Sequence, residues 1–275
     1  MTGGWDARAT GAVLRAPGPT DDKYTRGVVG MRTGSRTYPG AAVLGVEAAW
    51  RTGIGMVRYL GASRAARLVL QRRPETVIAP GRVQSWVIGS GTDPATRTAS
   101  ETRALREVLA GSEPVVVDAG ALDLASEAHA PMIVTPHASE HERLRRMLDQ
   151  PPGGEDPLAA ANDTAQRLGA VVVLKGAATV IAAPGSAILR MPVATSWLAT
   201  AGTGDVLAGI VGAVVAGARA ADRAAPLAAC AAAGVWLHSR AAGLASEAVG
   251  GGPIVALDVA AHVPQAVAEA LRAVR

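Results

Sequence analysis

Short β-branched runs alternate along the chain with longer Ala-, Leu- and Arg-rich segments whose apolar positions recur at helical spacing. The runs predict strands at Met56–Leu60, Val83–Gly89, Val115–Asp118, Met132–Thr135, Val171–Lys175, Thr179–Ala182 and Ala187–Met191. Helices are predicted between and after them, at Ala41–Arg51, Ala95–Ala110, Ser139–Leu148, Pro157–Leu168, Asp205–Ala218, Pro226–Ala242 and Val263–Val274. Asp156-Pro157 reads as a helix cap followed by proline at the first helical position. Strands such as Val171–Leu174 are apolar at every position, which predicts burial on both faces. Interleaved with helices, such strands imply a parallel sheet covered by helices. The pair Thr179–Ala182 and Ala187–Met191, joined by Ala183-Pro184-Gly185-Ser186, reads as an antiparallel hairpin within that sheet. Pro151–Glu155 is the most linker-like stretch, but the strands on either side have the same character, so it is expected to be a surface loop. The expectation is a flexible tail over residues 1–22 followed by a single domain over residues 23–275.

Composition narrows the class. At 275 residues a chain buries roughly three quarters of its unfolded surface, enough to stand without disulfides or a structural metal. Aromatic residues make up only 3% and Phe is absent, so the core must consist mainly of Ala, Val, Leu and Ile. The formal charge of +4 is mild, and no Arg-rich block or Arg/aromatic stripe marks a nucleic-acid surface. Arg72–Arg73 and Arg145–Arg146 are expected to be solvated faces. Cys230 is the single cysteine, so no internal disulfide can form. The longest apolar stretch, Val206–Ala218, falls short of the ~20 residues of a membrane span, and Met1–Asp22 lacks a signal-peptide core. A cytoplasmic protein is expected.

In open α/β sheets, ligands bind beyond the carboxyl ends of the strands. Four strand ends here carry Gly89-Ser90-Gly91, Asp118-Ala119-Gly120, Thr135-Pro136-His137 and Lys175-Gly176-Ala177-Ala178-Thr179, which would line one polar cleft. The strongest element is Ala201-Gly202-Thr203-Gly204-Asp205, set just before an apolar helical pattern. Glycines there let backbone amides approach a ligand, and a helix N-terminus supplies unpaired donors and the positive end of the dipole. Asp205 has two readings: a helix N-cap, or a carboxylate beside bound phosphate that takes the proton of an attacking hydroxyl. The glycines do not fit the dinucleotide fingerprint, and Lys175 is not in a Walker A loop. His137-Ala138-Ser139-Glu140-His141 matches the pattern of inverted zinc proteases. That chemistry needs both histidines on one helix face, whereas Ser139–Glu142 reads as a capping box that starts the helix after His137. No metal-ligating residues are therefore assigned, and His141 and His238 are read as ordinary helix positions.

Taken together, these segments resemble the ribokinase-like superfamily, and more closely the ADP/ATP-dependent NAD(P)H-hydrate dehydratases, the carbohydrate kinase-like YjeF C-terminal family. The matching motifs are Tyr38–Ala42, Arg51–Val57, Ile88–Gly91, Thr135–His137, Leu174–Thr179 and Gly202–Gly209, in the family's order across nearly the whole chain. The resemblance implies a three-layer α/β/α ribokinase-like fold and a lyase that repairs hydrated NADH or NADPH. A phosphoryl group from ADP or ATP would convert the ring hydroxyl into a leaving group, and phosphate elimination would restore the dihydropyridine. By position, Asp205 would be the catalytic base, and Gly202, Thr203 and Gly204 an anion hole. Lys175, Gly176, Ala177, Ala178, Thr179 and Gly204 would hold the nucleotide, and Ala41, Gly91, His137 and Asp205 the hydrated dinucleotide. Mg²⁺ would bridge the phosphates. A homo-oligomer, a tetramer in this family, is also implied.

The chain departs from the family at two places. Ala194-Thr195-Ser196-Trp197-Leu198 stands where the family has Gly-Asn-Pro-Gly-Met, and Gly120 replaces a second carboxylate after Asp118. Met1–Asp22 is too short for the companion epimerase domain, so a separate NAD(P)H-hydrate epimerase is expected as pathway partner. Two other readings compete: a vitamin-precursor or sugar kinase of the same superfamily, and a non-catalytic nucleotide sensor. A kinase would share Asp205 and the glycines but release a stable phosphorylated product. Intact Gly202–Asp205 and Lys175-Gly176 weigh against the sensor.

Overall fold

Alternate residues of one strand, β6 (Val171–Leu174), belong to different cores: Val171 and Val173 join one apolar cluster, Val172 and Leu174 another. A strand buried on both sides needs no polar alternation, which is why the run is apolar throughout. The computed structural model, which describes residues 4–275, extends this arrangement to a sheet of eight strands in the order β2-β1-β3-β4-β5-β6-β7-β8. The first six are β1 (Val28–Arg32), β2 (Met56–Tyr59), β3 (Ser85–Ile88), β4 (Val115–Val117), β5 (Met132–Val134) and β6, all parallel. β7 (Val180–Ala182) and β8 (Leu189–Arg190) form the expected antiparallel hairpin on the β6 edge.

Nine helices are described: α1 (Ala7–Val13), α2 (Gly40–Arg51), α3 (Ser63–Arg72), α4 (Ala99–Leu109), α5 (Ala138–Met147), α6 (Pro157–Leu168), α7 (Thr203–Ala221), α8 (Leu227–Ala248) and α9 (Ala256–Arg272). Residues of α2, α7, α8 and α9 fill the larger core, and residues of α4, α5 and α6 the smaller one on the opposite face. The three-layer expectation is met. Small residues make the layers close: a Cβ on Gly209 of α7 would run into the Gly45 backbone of α2, and one on Gly212 would strike Val87 of β3.

Several expectations are corrected. Within the stretch read as a flexible tail, Ala7–Val13 is a helix capped by Asp6 and packed on α9 and α8, with Thr10 and Gly11 buried. β1 was not predicted. Its Gly30 sits against the Trp86 ring, where any side chain would clash, and that glycine interrupts the strand signal. α3 was also missed; only Ala65 and Val69 of its ten residues are buried. α9 begins seven residues before the expected Val263 start because Pro264, normally a first-turn residue, lies inside it on the exposed side. α7 has 19 residues rather than the 14 expected and is long and apolar enough to cross a membrane, but it packs against α2, α8 and the sheet. Arg145 is buried, not solvated: it donates to the carbonyls of Pro151 and Ala160, both at 2.8 Å, and ties the Pro151–Glu155 loop down.

Candidate active site

The chain turns into α7 through Gly202, whose φ of +89° belongs to the left-handed region, and a Cβ there would collide with Leu44 of α2. Glycine is thus required twice over. The first-turn amides of α7 then point out of the helix unpaired, as an anion site needs. Thr203 fixes this turn by donating its hydroxyl to Leu198 O and Thr200 O at 2.9 and 3.0 Å. From α8, His238 Nε2 lies 3.0 Å from Thr203 O. A carbonyl only accepts, so Nε2 carries the proton. Burial holds the imidazole neutral, with its pKa pushed down to about 4.

Asp205 is the third residue of α7, not its cap; Gly202 occupies the cap position. The capping reading therefore fails. Burial, reinforced by the charge of Asp118 and only partly opposed by Lys175, raises the Asp205 carboxyl to about 7. A base of that strength is half-ionised near neutral pH, where general-base efficiency is greatest.

Lys175 follows β6, and its Nζ lies 2.9 Å from Asp118 Oδ1 and 3.8 Å from Glu140 Oε2. It also lies 3.5 Å from where a Cβ on Gly204 would be, so the ammonium faces the first turn of α7. Burial works against its charge, but Asp118 and Glu140 outweigh this and raise its pKa. Asp118 Oδ1 takes the Thr135 hydroxyl at 2.7 Å and Oδ2 takes the Ser90 hydroxyl at 2.8 Å. Four strand ends, those of β3, β4, β5 and β6, thereby meet at one carboxylate.

The other expected residues fall around this centre. Gly91 has a φ of +67°, and a Cβ on it would run into the Ala41 side chain, so the two positions touch. His137 pairs with Lys175 through a parallel bridge, and Lys175 N donates to Pro136 O at 2.8 Å. His137 itself caps α5: Glu140 N donates to its Nδ1 at 3.3 Å and its own N–H donates to Glu140 Oε2 at 2.9 Å. The capping box is thus His137 with Glu140, two residues earlier than the Ser139 start expected. His137 is 54% exposed at its side chain, whereas His141 is buried with Nε2 3.0 Å from Thr164 Oγ1. No cluster of three metal-ligating side chains occurs among the described residues.

A cavity of about 420 Å³ opens above β6 and β7, walled by Lys175–Ala177, Thr179, the Ala194–Ala199 loop, the first turn of α7 and His238. It brings together the residues assigned to the nucleotide with one exception. Ala178 lines a separate space of about 660 Å³ between β6, α5 and α6. The Ala194–Leu198 loop is held by Trp197, whose Nε1 donates to Gly251 O at 2.9 Å in the turn between α8 and α9. A Cβ on Gly120 would strike the Thr92 carbonyl, so this backbone has no room for the second carboxylate that the resemblance led us to expect there. Sequence reasoning reads His238 as an ordinary helix position and misses both its contact with the α7 turn and the hub role of Asp118, which is visible only as one of four polar strand ends.

A family model described as NAD(P)H-hydrate dehydratase matches residues 29–264. The bifunctional NAD(P)H-hydrate repair enzyme Nnr of Mycobacterium tuberculosis is 45% identical over 226 residues, 77% of this chain and 46% of that protein. The chain thus spans about half the length of such bifunctional relatives. The ADP-dependent (S)-NAD(P)H-hydrate dehydratase of Xanthomonas campestris is 31% identical over 77% of this chain and 81% of its own length. The crystal structure of the ADP/ATP-dependent NAD(P)H-hydrate dehydratase of Bacillus subtilis, co-crystallized with ATP and Mg²⁺, superposes with a TM-score of 0.81 at 26% identity, covering 96% of each chain. The family model spans well over half of the chain, and the chain belongs to the NAD(P)H-hydrate dehydratase family.

Proposed function

We propose that this chain dehydrates the (6S) hydrate of NADH or NADPH at the expense of ADP or ATP. The observation that carries the reading is the placement of Asp205, a carboxyl of near-neutral pKa, on the same helix turn whose amides form the anion site. The nucleotide would lie in the cavity lined by Lys175 and Gly204, its terminal phosphoryl against the Gly202–Gly204 amides. The hydrate would approach from the Ala41–Gly91–His137 side. Mg²⁺ bound with the nucleotide would offset the charge of its phosphates during transfer.

The ring hydroxyl oxygen then attacks the terminal phosphorus as its proton passes to Asp205, and the bond to AMP (from ADP) or ADP (from ATP) breaks. In the second step the carbon–oxygen bond to phosphate breaks, assisted by the ring nitrogen's electron pair. Loss of a proton from the adjacent ring carbon restores the dihydropyridine. Anion-hole stabilisation and proton abstraction are each worth several kcal/mol in such reactions.

The test mixes purified protein, Mg²⁺ and hydrated NADPH with ADP or ATP and follows the dihydronicotinamide absorbance. Its return with nucleotide, with AMP and phosphate released together from ADP, supports the reading. A stable phosphorylated vitamin precursor or sugar, with the hydrate untouched, would replace it with a kinase.

A further inference from the structure

Asp118 lies at the end of β4 and is 2% exposed, so it touches neither cavity directly. Yet its two oxygens take three donors from three other strand ends: Ser90, Thr135 and Lys175. Buried carboxylates persist where such donors compensate their burial. Lysine, by contrast, is a point charge on a flexible stem and goes where its partner is. Three carboxylates attract this one: Asp118, in hydrogen-bonding contact, Glu140 at 3.8 Å, and Asp205, which attracts it only at longer range. Were Lys175 to close onto Asp205, the carboxylate needed as base would be tied up in an ion pair and the ammonium would be less available to a phosphoryl group.

We propose that Asp118 is a positioning residue for phosphoryl transfer, holding the Lys175 ammonium at the first turn of α7 and away from an ion pair with Asp205. The inference rests on the dehydratase reading and adds to it what keeps the base free while the phosphoryl group is clamped. The charged and titratable groups facing this site are Asp118 from β4, Lys175 from β6, Glu140 and His137 from α5, and neutral His238 from α8 behind Thr203. Contacts from α2 on this turn include Leu44 and Gly45, which carry no charge.

Two substitutions with opposite signs test it. Asp118→Asn preserves shape but removes a charge of like sign to Asp205 and frees Lys175 to approach it; both effects lower the pKa of Asp205. The acid limb of the pH–rate profile should move down by about one unit or more, and turnover should fall at least ~10-fold through lost positioning. ADP binding should stay as tight or tighter, because a negative charge near the phosphates has gone. Lys175→Met should move the Asp205 titration upward, since the opposing cation is lost while Asp118 remains. Carbon-13 NMR of the labelled carboxyls, assigned with Asp205→Asn, reads both shifts without any turnover. That readout separates two failures: a wild-type protein inert toward hydrate overturns the dehydratase reading even if the titrations move as stated. Titrations that stay put in both variants overturn the role given to Asp118, even if dehydration is observed, as would an Asp118→Asn enzyme of unchanged turnover.

Discussion

Asp205→Asn separates what this residue does for chemistry from what it costs the fold. The wild-type carboxyl titrates near 7 against an ordinary value of 3.8, a rise caused by burial and then by Asp118. Between those two pH values the folded protein holds a proton that the unfolded chain has released. Stability must therefore decline as pH rises through this window, and it is fully present only below about pH 4. The three-unit span corresponds to at most ~4 kcal/mol. Water in the cleft screens part of it, leaving ~2 kcal/mol as the expected loss. Asparagine never ionises and so escapes the loss, but it forfeits the ~0.5 kcal/mol that a charged first-turn carboxylate gains from the helix dipole. The larger effect wins: the variant should be more stable than wild type by ~1–2 kcal/mol at pH 8 and equal to it at pH 4.

Turnover should move the other way. An amide cannot take the hydroxyl proton, and loss of general-base assistance lowers rates by ~10²–10⁴-fold. Urea unfolding without nucleotide at pH 4, 6 and 8, beside the absorbance assay at pH 8, measures both. Parallel stability curves for the two proteins would show that the carboxyl is not desolvated as its surroundings imply. Near-normal activity in the folded variant would remove Asp205 from the mechanism altogether.

Other changes have separate signatures. Trp197→Phe deletes the 2.9 Å bond to Gly251 O that holds the loop walling the nucleotide cavity; KM for ADP should rise about fivefold, one hydrogen bond's worth, with kcat nearly unchanged. A fall in kcat alone would place that loop in the chemistry. Gly91→Ala would force a left-handed residue into the Ala41 side chain, so hydrate KM should rise while ADP still raises the melting temperature; loss of ADP binding as well would mean the two sites are not separate. Glu47, 1% exposed, is bonded to Arg51, Arg72 and Arg73. Glu47→Ala should cost about 3 kcal/mol in urea, the low end for breaking a buried pair because the arginines are partly exposed, and a cost under ~0.5 kcal/mol would show the cluster to be solvated.

The layered fold was legible because burial on two faces leaves a plain mark: β4, β5 and β6 are short runs with no polar residue at all. Where tertiary packing overrode local preference, the reading failed. Gly30 weakens the signal of β1 yet is demanded by Trp86, and Pro264 suggests a helix start where α9 is already seven residues long. The glycines of the α7 turn and the polar strand ends stood out as residue types. What they do to one another could not, because it depends on distances between segments far apart in sequence: Asp118 is 57 residues from Lys175. The cap of α5 shows the same limit on a shorter scale. Ser139 and His137 both precede a carboxylate by the spacing or near-spacing of a capping box, and only the backbone shows that His137 takes Glu140 as its partner.

Asp118 and Asp205 show how one cleft assigns different work to identical side chains. Asp118 is the more deeply buried, and three donors converge on it, one of them the Lys175 ammonium. Asp205 receives no such compensation. Its surroundings are burial, a like charge and a cation already engaged elsewhere, and together these leave it weakly acidic and available. The hydrogen-bonded carboxylate serves as an anchor for the lysine, and the uncompensated one is left as the proton acceptor. The division requires both the helix turn that carries Asp205 and the parallel strands that deliver Ser90, Asp118, Thr135 and Lys175 to one edge. Breaking the sheet order there, even with every residue retained, would leave two ordinary acids and no base tuned to neutral pH.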